Sequence, residues 1–178
     1  MNPQGAFSYL VTTLVDLYVA AVLLRLLLQW VQADFYNPLS QFLIRITNPP
    51  LQPMRRLIPA IGRFDTAAVV LMLALEIAGL TLLSTINGSR MGWQLIFTFA
   101  VVKLLMTLLW LYFFLIILAV ILSWVGARAR HPIIPLIFQL TAPVLRPFRR
   151  FIPPVAGVDL SPLFALLAIR FLLYLLGW

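Results

Sequence analysis

The sequence predicts an all-α membrane protein, with four transmembrane helices arranged as two tandem parallel repeats. Three observations predict it. Of 178 residues, 63% are hydrophobic and 10% charged, and the mean hydropathy is +1.03. A soluble domain carries about 45–50% apolar and about 25% charged residues, so the excess apolar surface must face lipid. Apolar runs of membrane-crossing length recur along the chain, and the chain repeats itself. Disorder, collagen, coiled coil and a soluble enzyme are excluded by composition alone.

The repeat fixes the organisation. A shift of 94 positions lays Leu28–Asp65 on Leu122–Asp159 without a gap, with fourteen of 38 positions identical. Nine identities fall in the last 19 positions, where both copies read T-x-P-x-L-x-P-x-R-R-x-I-P-x-x-x-x-x-D, in Thr47–Asp65 and in Thr141–Asp159. Residues 1–90 and 91–178 are therefore read as two copies of one unit.

Each element follows in order. Span one is Leu10–Val31 and span three is its equivalent Leu104–Val125, each 22 residues and ~33 Å as helix, enough for a ~30 Å hydrocarbon core. Spans two and four are Thr66–Ser84 and Leu160–Trp178. Between the spans of each copy, Pro38–Thr47 and Pro132–Thr141 are apolar but too short to cross, and read as interfacial or re-entrant amphipathic helices. The prolines that follow (Pro49, Pro53, Pro59; Pro143, Pro147, Pro153) lack backbone donors and predict an irregular Pro/Arg loop. Gly92–Lys103 reads as an interfacial helix or a lipid-side extension of span three, because one helix over Met91–Val125 would reach ~52 Å.

The net charge is +8, with 12 of the 13 basic residues arginine. In a soluble protein this balance points to nucleic acid. Here it is assigned to topology instead, because basic residues in short loops mark the cytoplasmic side. Arg45, Arg55, Arg56 and Arg63 lie in Gln32–Asp65; Arg128, Arg130, Arg146, Arg149 and Arg150 lie in Gly126–Asp159; the turn between spans two and three has Arg90. The asymmetry places both long loops in the cytoplasm and both termini outside. Trp30 and Trp124 are equivalent interface anchors. No cleavable leader is expected, since the first 15 residues carry no positive charge. The absence of Cys removes disulfides and thiolate chemistry.

Candidate sites follow from charge in unusual places. Arg55, Arg56, Arg149 and Arg150 are candidates for binding anionic headgroups or a protein partner, each basic residue near such a surface being worth about 1 kcal/mol. The plainer reading is that they anchor topology. Asp65 and Asp159 stand just before spans two and four, as helix caps or as partners of the nearby arginines. Asp16, Arg25, Glu76 and Arg170 lie inside spans, where an ionisable group costs about 2.5–3.5 kcal/mol. Glu76 and Arg170 are equivalent under the 94-residue shift, which predicts an ion pair across a pseudo-twofold axis. Arg25 is placed to reach Glu76 or to snorkel. Asp16 faces away from Arg25 and needs another partner, Lys103 or a second subunit. This set is either structural pairing or an ion or proton path. Ala67, Ala74 and Ala78, with Gly79 beside them, offer a small-residue face. His131 stands alone opposite Asn37 of the first copy. No catalytic constellation, metal set or cofactor motif is present, so neither enzyme activity nor a cofactor is expected.

The duplicated unit resembles the YggT family (also called YlmG) of small bacterial membrane proteins, in the two-repeat proteobacterial form. The residues that carry it are the two proline/arginine segments, Trp30 and Trp124 before them, and Asp65 and Asp159 after them. The copies have diverged where Asn48 becomes Ala142 and Gly62 becomes Ala156. The resemblance implies osmotic and cation tolerance, division and shape, or assembly work, and no catalytic residues. Two functions are therefore expected: a membrane-organising or osmotic-homeostasis factor acting through the Pro/Arg loops, or monovalent-cation transport through Glu76 and Asp16 with Arg25 and Arg170 as counter-charges.

Overall fold

The computed structural model describes residues 3–62, 64–89, 91–125, 131–153 and 159–177. Arg63, Arg90, Arg128, Arg130, Ala156 and Trp178 lie outside them. The described chain is helical with no strand: α1 Pro3–Trp30, α2 Pro38–Leu57, α3 Thr66–Ile86, α4 Trp93–Val125, α5 Ile133–Phe151 and α6 Ser161–Leu175. Three of these, α1, α3 and α4, are long and apolar enough to cross a membrane, as a membrane protein requires. The expected fourth span corresponds to α6, an apolar helix of 15 residues and ~22 Å.

Two expectations are corrected. No separate interfacial helix precedes span three: α4 runs unbroken for 33 residues through Lys103. Neither Pro nor Gly interrupts Trp93–Val125, so nothing local ends the helix. Lys103 does not mark an interface either, because carboxylates on two other helices neutralise it.

The Pro/Arg segments are also helical rather than looped. Pro49, Pro50 and Pro53 lie inside α2, and Pro143 and Pro147 inside α5. Both helices are strongly amphipathic. In α2 the buried positions are Ser40, Leu43, Thr47 and Leu51, and in α5 they are Leu136, Ile137, Leu140, Thr141 and Leu145, both at three- and four-residue spacing. Pro49, Pro53 and Pro147 sit on the exposed side, where carbonyls they leave unbonded can be solvated. Pro50 removes the amide that would bond Ile46, and the Tyr18 hydroxyl takes its place, donating to the Ile46 carbonyl at 3.1 Å.

The chain packs as two units. The first comprises Met1–Leu26 and Leu43–Leu108, the second Leu27–Phe42 and Leu109–Trp178. In the first, Val19, Val22, Leu51, Ala67, Met72 and Ala100 are buried almost completely. The buried stripe of α3 is Ala67, Ala68, Leu71, Met72, Glu76 and Gly79. Gly79 lies against Val15 of α1, where an added Cβ would stand 3.5 Å from its methyls. Ala74 and Ala78 are exposed, so the close approach uses Gly79 rather than the expected alanine face. In the second unit Ile116, Leu136, Leu140, Ala165 and Leu173 are buried, and α5 packs on α6.

Candidate functional site

The start of each amphipathic helix is set by one residue. Asn37 Oδ1 accepts the Leu39 amide at 3.0 Å, and Pro38 follows at the first helical position. His131, its equivalent, does the same job: Nδ1 accepts the Ile133 amide at 3.3 Å. Asn37 also donates through Nδ2 to the Pro132 carbonyl at 2.6 Å.

The far end of each amphipathic helix is tied to the next helix by an arginine and an aspartate ten residues apart. Asp65 Oδ1 accepts the Ala68 amide at 3.3 Å and so caps α3, while Oδ2 takes Arg55 through Nε at 3.1 Å and also through Nη2. Asp159 repeats the arginine tie, with Oδ2 accepting Arg149 Nε at 2.9 Å. Its Oδ1 accepts the Ser161 amide at 2.9 Å from one residue before Leu160, which holds the N-cap position of α6 without a side-chain bond. Capping and arginine pairing, weighed as alternatives from the sequence, occur together on opposite oxygens of Asp65, and the pairing without the cap at Asp159. Burial pushes the Asp159 carboxyl up, but its bonds to Ser161 and Arg149 outweigh this and hold it below its usual range.

The four candidate arginines are thereby divided. Arg55 and Arg149 are bound to aspartates, while Arg56 and Arg150 beside them are exposed and meet no carboxylate among the described residues. Arg45 and Arg56 stand eleven residues apart, three turns of helix, on one exposed stripe of α2. Arg146 and Arg150, four apart, make the matching stripe of α5.

The intramembrane charges fall into three arrangements. Lys103 of α4 lies 2.5 Å from Asp16 Oδ1 of α1 and 2.9 Å from Glu76 Oε2 of α3. Asp16 thus finds one of the partners its position demanded. Glu76 is fully buried, and its second oxygen, Oε1, meets no donor. Arg25, 8% exposed, donates through Nη1 to Thr47 Oγ1 at 2.6 Å, and that hydroxyl in turn donates to the Leu43 carbonyl at 2.6 Å. It neither snorkels nor pairs with Glu76. Arg170 lies over the Trp110 ring, 5.8 Å from the centroid.

The expected Glu76–Arg170 pair is replaced by a partner for each inside its own unit. Trp110 is the equivalent of Asp16 under the 94-residue shift, so the same two positions of α1/α3 and α4/α6 meet in both copies. A carboxylate pair bridged by Lys103 occupies them in one copy, an arginine on indole in the other. Sequence reasoning missed Thr47 and Tyr18. Position 47 was visible as an identity in the repeat, but its role as an arginine acceptor was not.

The model of the CCB3/YggT family matches this chain twice, over residues 4–86 and 98–178. The chain belongs to the CCB3/YggT family. The two matches begin 94 residues apart (98 less 4), the same shift that aligns the proline/arginine segments. YggT of Escherichia coli K12 is 36% identical over 165 residues, 92% of this chain and 85% of that protein. An uncharacterized protein of Pseudomonas aeruginosa is 40% identical over 93% of this chain and 85% of its own length. One from Vibrio alginolyticus is 39% identical over 98% and 95%. These YggT relatives are described as uncharacterized. No solved structure matches the chain.

Proposed function

We propose that this protein is a non-enzymatic, four-span protein of the bacterial inner membrane, with two parallel repeats, cytoplasmic α2 and α5, and periplasmic termini. It organises the membrane or supports assembly or osmotic homeostasis by holding anionic headgroups, or a membrane protein partner, against α2 and α5. One observation carries the reading: in both copies one arginine of the pair is tied to an aspartate while its exposed neighbour meets no carboxylate among the described residues, on a stripe with another arginine. An arginine kept only as a topology anchor needs no such sorting, since charge alone suffices. The Asn37–Pro132 bond, which joins the starts of the two amphipathic helices, supports the parallel arrangement.

The test is retention of phosphatidylglycerol by detergent-purified protein, read by native mass spectrometry. Replacing Arg45, Arg56, Arg146 and Arg150 with Ala should strip the lipid without changing thermal stability. Undiminished retention by that folded variant overturns the reading.

The second reading, monovalent-cation flux, is favoured by two carboxylates facing one ammonium, a set with net charge −1 when all are ionised. Arg25 and Arg170 do not serve as its counter-charges, since they are spent on Thr47 and Trp110. Potassium flux in liposomes that disappears in folded Glu76→Gln would favour it, and absence of flux in wild type would remove it.

A further inference from the structure

In the first copy Arg25 reaches the Thr47 hydroxyl, with Arg55 and Asp65 as its charged neighbours. Each of those surroundings is retained in the second copy, as Thr141, Arg149 and Asp159. The arginine itself is not: the position equivalent to Arg25 is Ala119. Where its side chain would lie, the second unit has a cavity of about 390 Å³. That volume falls within the range of about 300–1,000 Å³ typical of ligand pockets. Ala119, Phe138 and Leu145 form an apolar wall, and Ser123, Arg149 and Asp159 a polar rim. The rim pair is half-exposed, with side chains 49% and 41% accessible, so both charges have free valence toward an occupant.

We propose that this cavity is a phospholipid site selective for an aminoethyl headgroup. The phosphate lies against Arg149, the ammonium against Asp159, and the glycerol end of an acyl chain runs along Ala119, Phe138 and Leu145. The choice of occupant rests on charge and position. The rim presents one cation and one anion on a wall that is otherwise apolar, which a zwitterion complements. A purely anionic headgroup would face the Asp159 carboxylate. A choline headgroup carries the same charges but no N–H to donate to that carboxylate. The cavity lies beside the exposed Trp124 at the end of α4, where an indole marks headgroup depth. In the first copy the equivalent position holds Arg25, 8% exposed and bonded to Thr47. One repeat thus carries a buried arginine there, and the other an alanine that lines the cavity. The inference rests on the membrane placement of α5 given above, but not on the exposed arginine stripes.

The experiment compares retention of phosphatidylethanolamine, phosphatidylcholine and phosphatidylglycerol by the full-length protein, again by native mass spectrometry. Wild type should prefer phosphatidylethanolamine. Ala119→Arg, which restores the side chain that the first copy accommodates, should lower that retention about tenfold, as should Ala119→Leu if the arginine variant does not fold. Loss of phosphatidylglycerol alone in the four-arginine stripe variant would leave this site standing, so the two readings fail separately. Equal retention of the three lipids by wild type, or unchanged phosphatidylethanolamine retention in a folded Ala119 variant, overturns the proposal.

Discussion

Tyr18 donates its hydroxyl to the carbonyl of Ile46, the one backbone acceptor in α2 that Pro50 leaves without its helical amide. A residue 28 positions away thus repairs the helix that a proline would otherwise open. The second copy carries the converse. Val144 replaces Pro50 and brings its own N–H, and Tyr112, equivalent to Tyr18, is buried with its hydroxyl unpaired.

Tyr18→Phe should therefore cost about 0.5–1.5 kcal/mol, the net worth of a hydrogen bond that is only part-buried. In a Pro50→Val background, where the amide returns, the same change should cost close to nothing. Tyr112→Phe should be neutral or slightly stabilising. Thermal unfolding of the four proteins in detergent, read as a double-mutant cycle, measures the coupling.

Lys103 is the hub of three charges, and its loss leaves two carboxylates uncompensated. Lys103→Met should destabilise chiefly through Glu76, the one fully buried carboxylate of the set, by less than the ~3–5 kcal/mol of a wholly buried pair, since Lys103 and Asp16 are partly exposed. Adding Asp16→Asn and Glu76→Gln should recover most of the loss. Failure of the triple variant to regain stability would mean that Lys103 matters through packing rather than charge.

Thr47 is an arginine acceptor, and Thr141 is not, because Ala119 replaces the arginine. Thr47→Val should cost about 1.5–3 kcal/mol, the range for hydrogen bonds to charged groups. Thr141 bonds its hydroxyl only to carbonyls of its own helix, Ile137 at 2.9 Å and Phe138 at 3.3 Å. Thr141→Val should accordingly be far milder, and equal losses in chemical unfolding would refute the assignment.

Asp159 gives an acid-side signature. Its folded carboxyl titrates below its usual value, held there by its bonds to Ser161 and then to Arg149, so these bonds contribute stability that is complete above the ordinary carboxylate range. That contribution is lost as pH falls through the range. Asp159→Asn should flatten the corresponding part of the stability curve between neutral and acid pH. The pair is half in solvent, so the change is small and best read as a difference between the two curves.

The sequence displayed the repeat because its rigid pieces, Pro, Arg and Asp at fixed spacing, survive divergence. It displayed the Asp65 cap for the same reason, and offered Lys103 as one of two partners for Asp16. The helices through Pro49–Pro53 and Pro143–Pro147 were hidden, since a proline's local cost is visible in sequence while the distant Tyr18 donor is not. The length of α4 was hidden by Lys103, which resembles an interface marker until Asp16 and Glu76 are seen around it. The Glu76–Arg170 pairing failed for a different reason. Equivalence under a repeat says that two residues have similar surroundings, not that they face each other, and here the surroundings are Lys103 with Asp16 in one case and Trp110 in the other.

The uninterrupted α4 has one further effect. Trp93 and Trp124, 74% and 80% exposed, stand 31 residues apart on it, or ~46 Å along the axis. A bilayer measured across both headgroup layers is ~40–45 Å, so the two indoles sit at the spacing of its opposite faces. A helix of that length, set across a bilayer, would lean further where the bilayer is thinner and stand more upright where it is thicker.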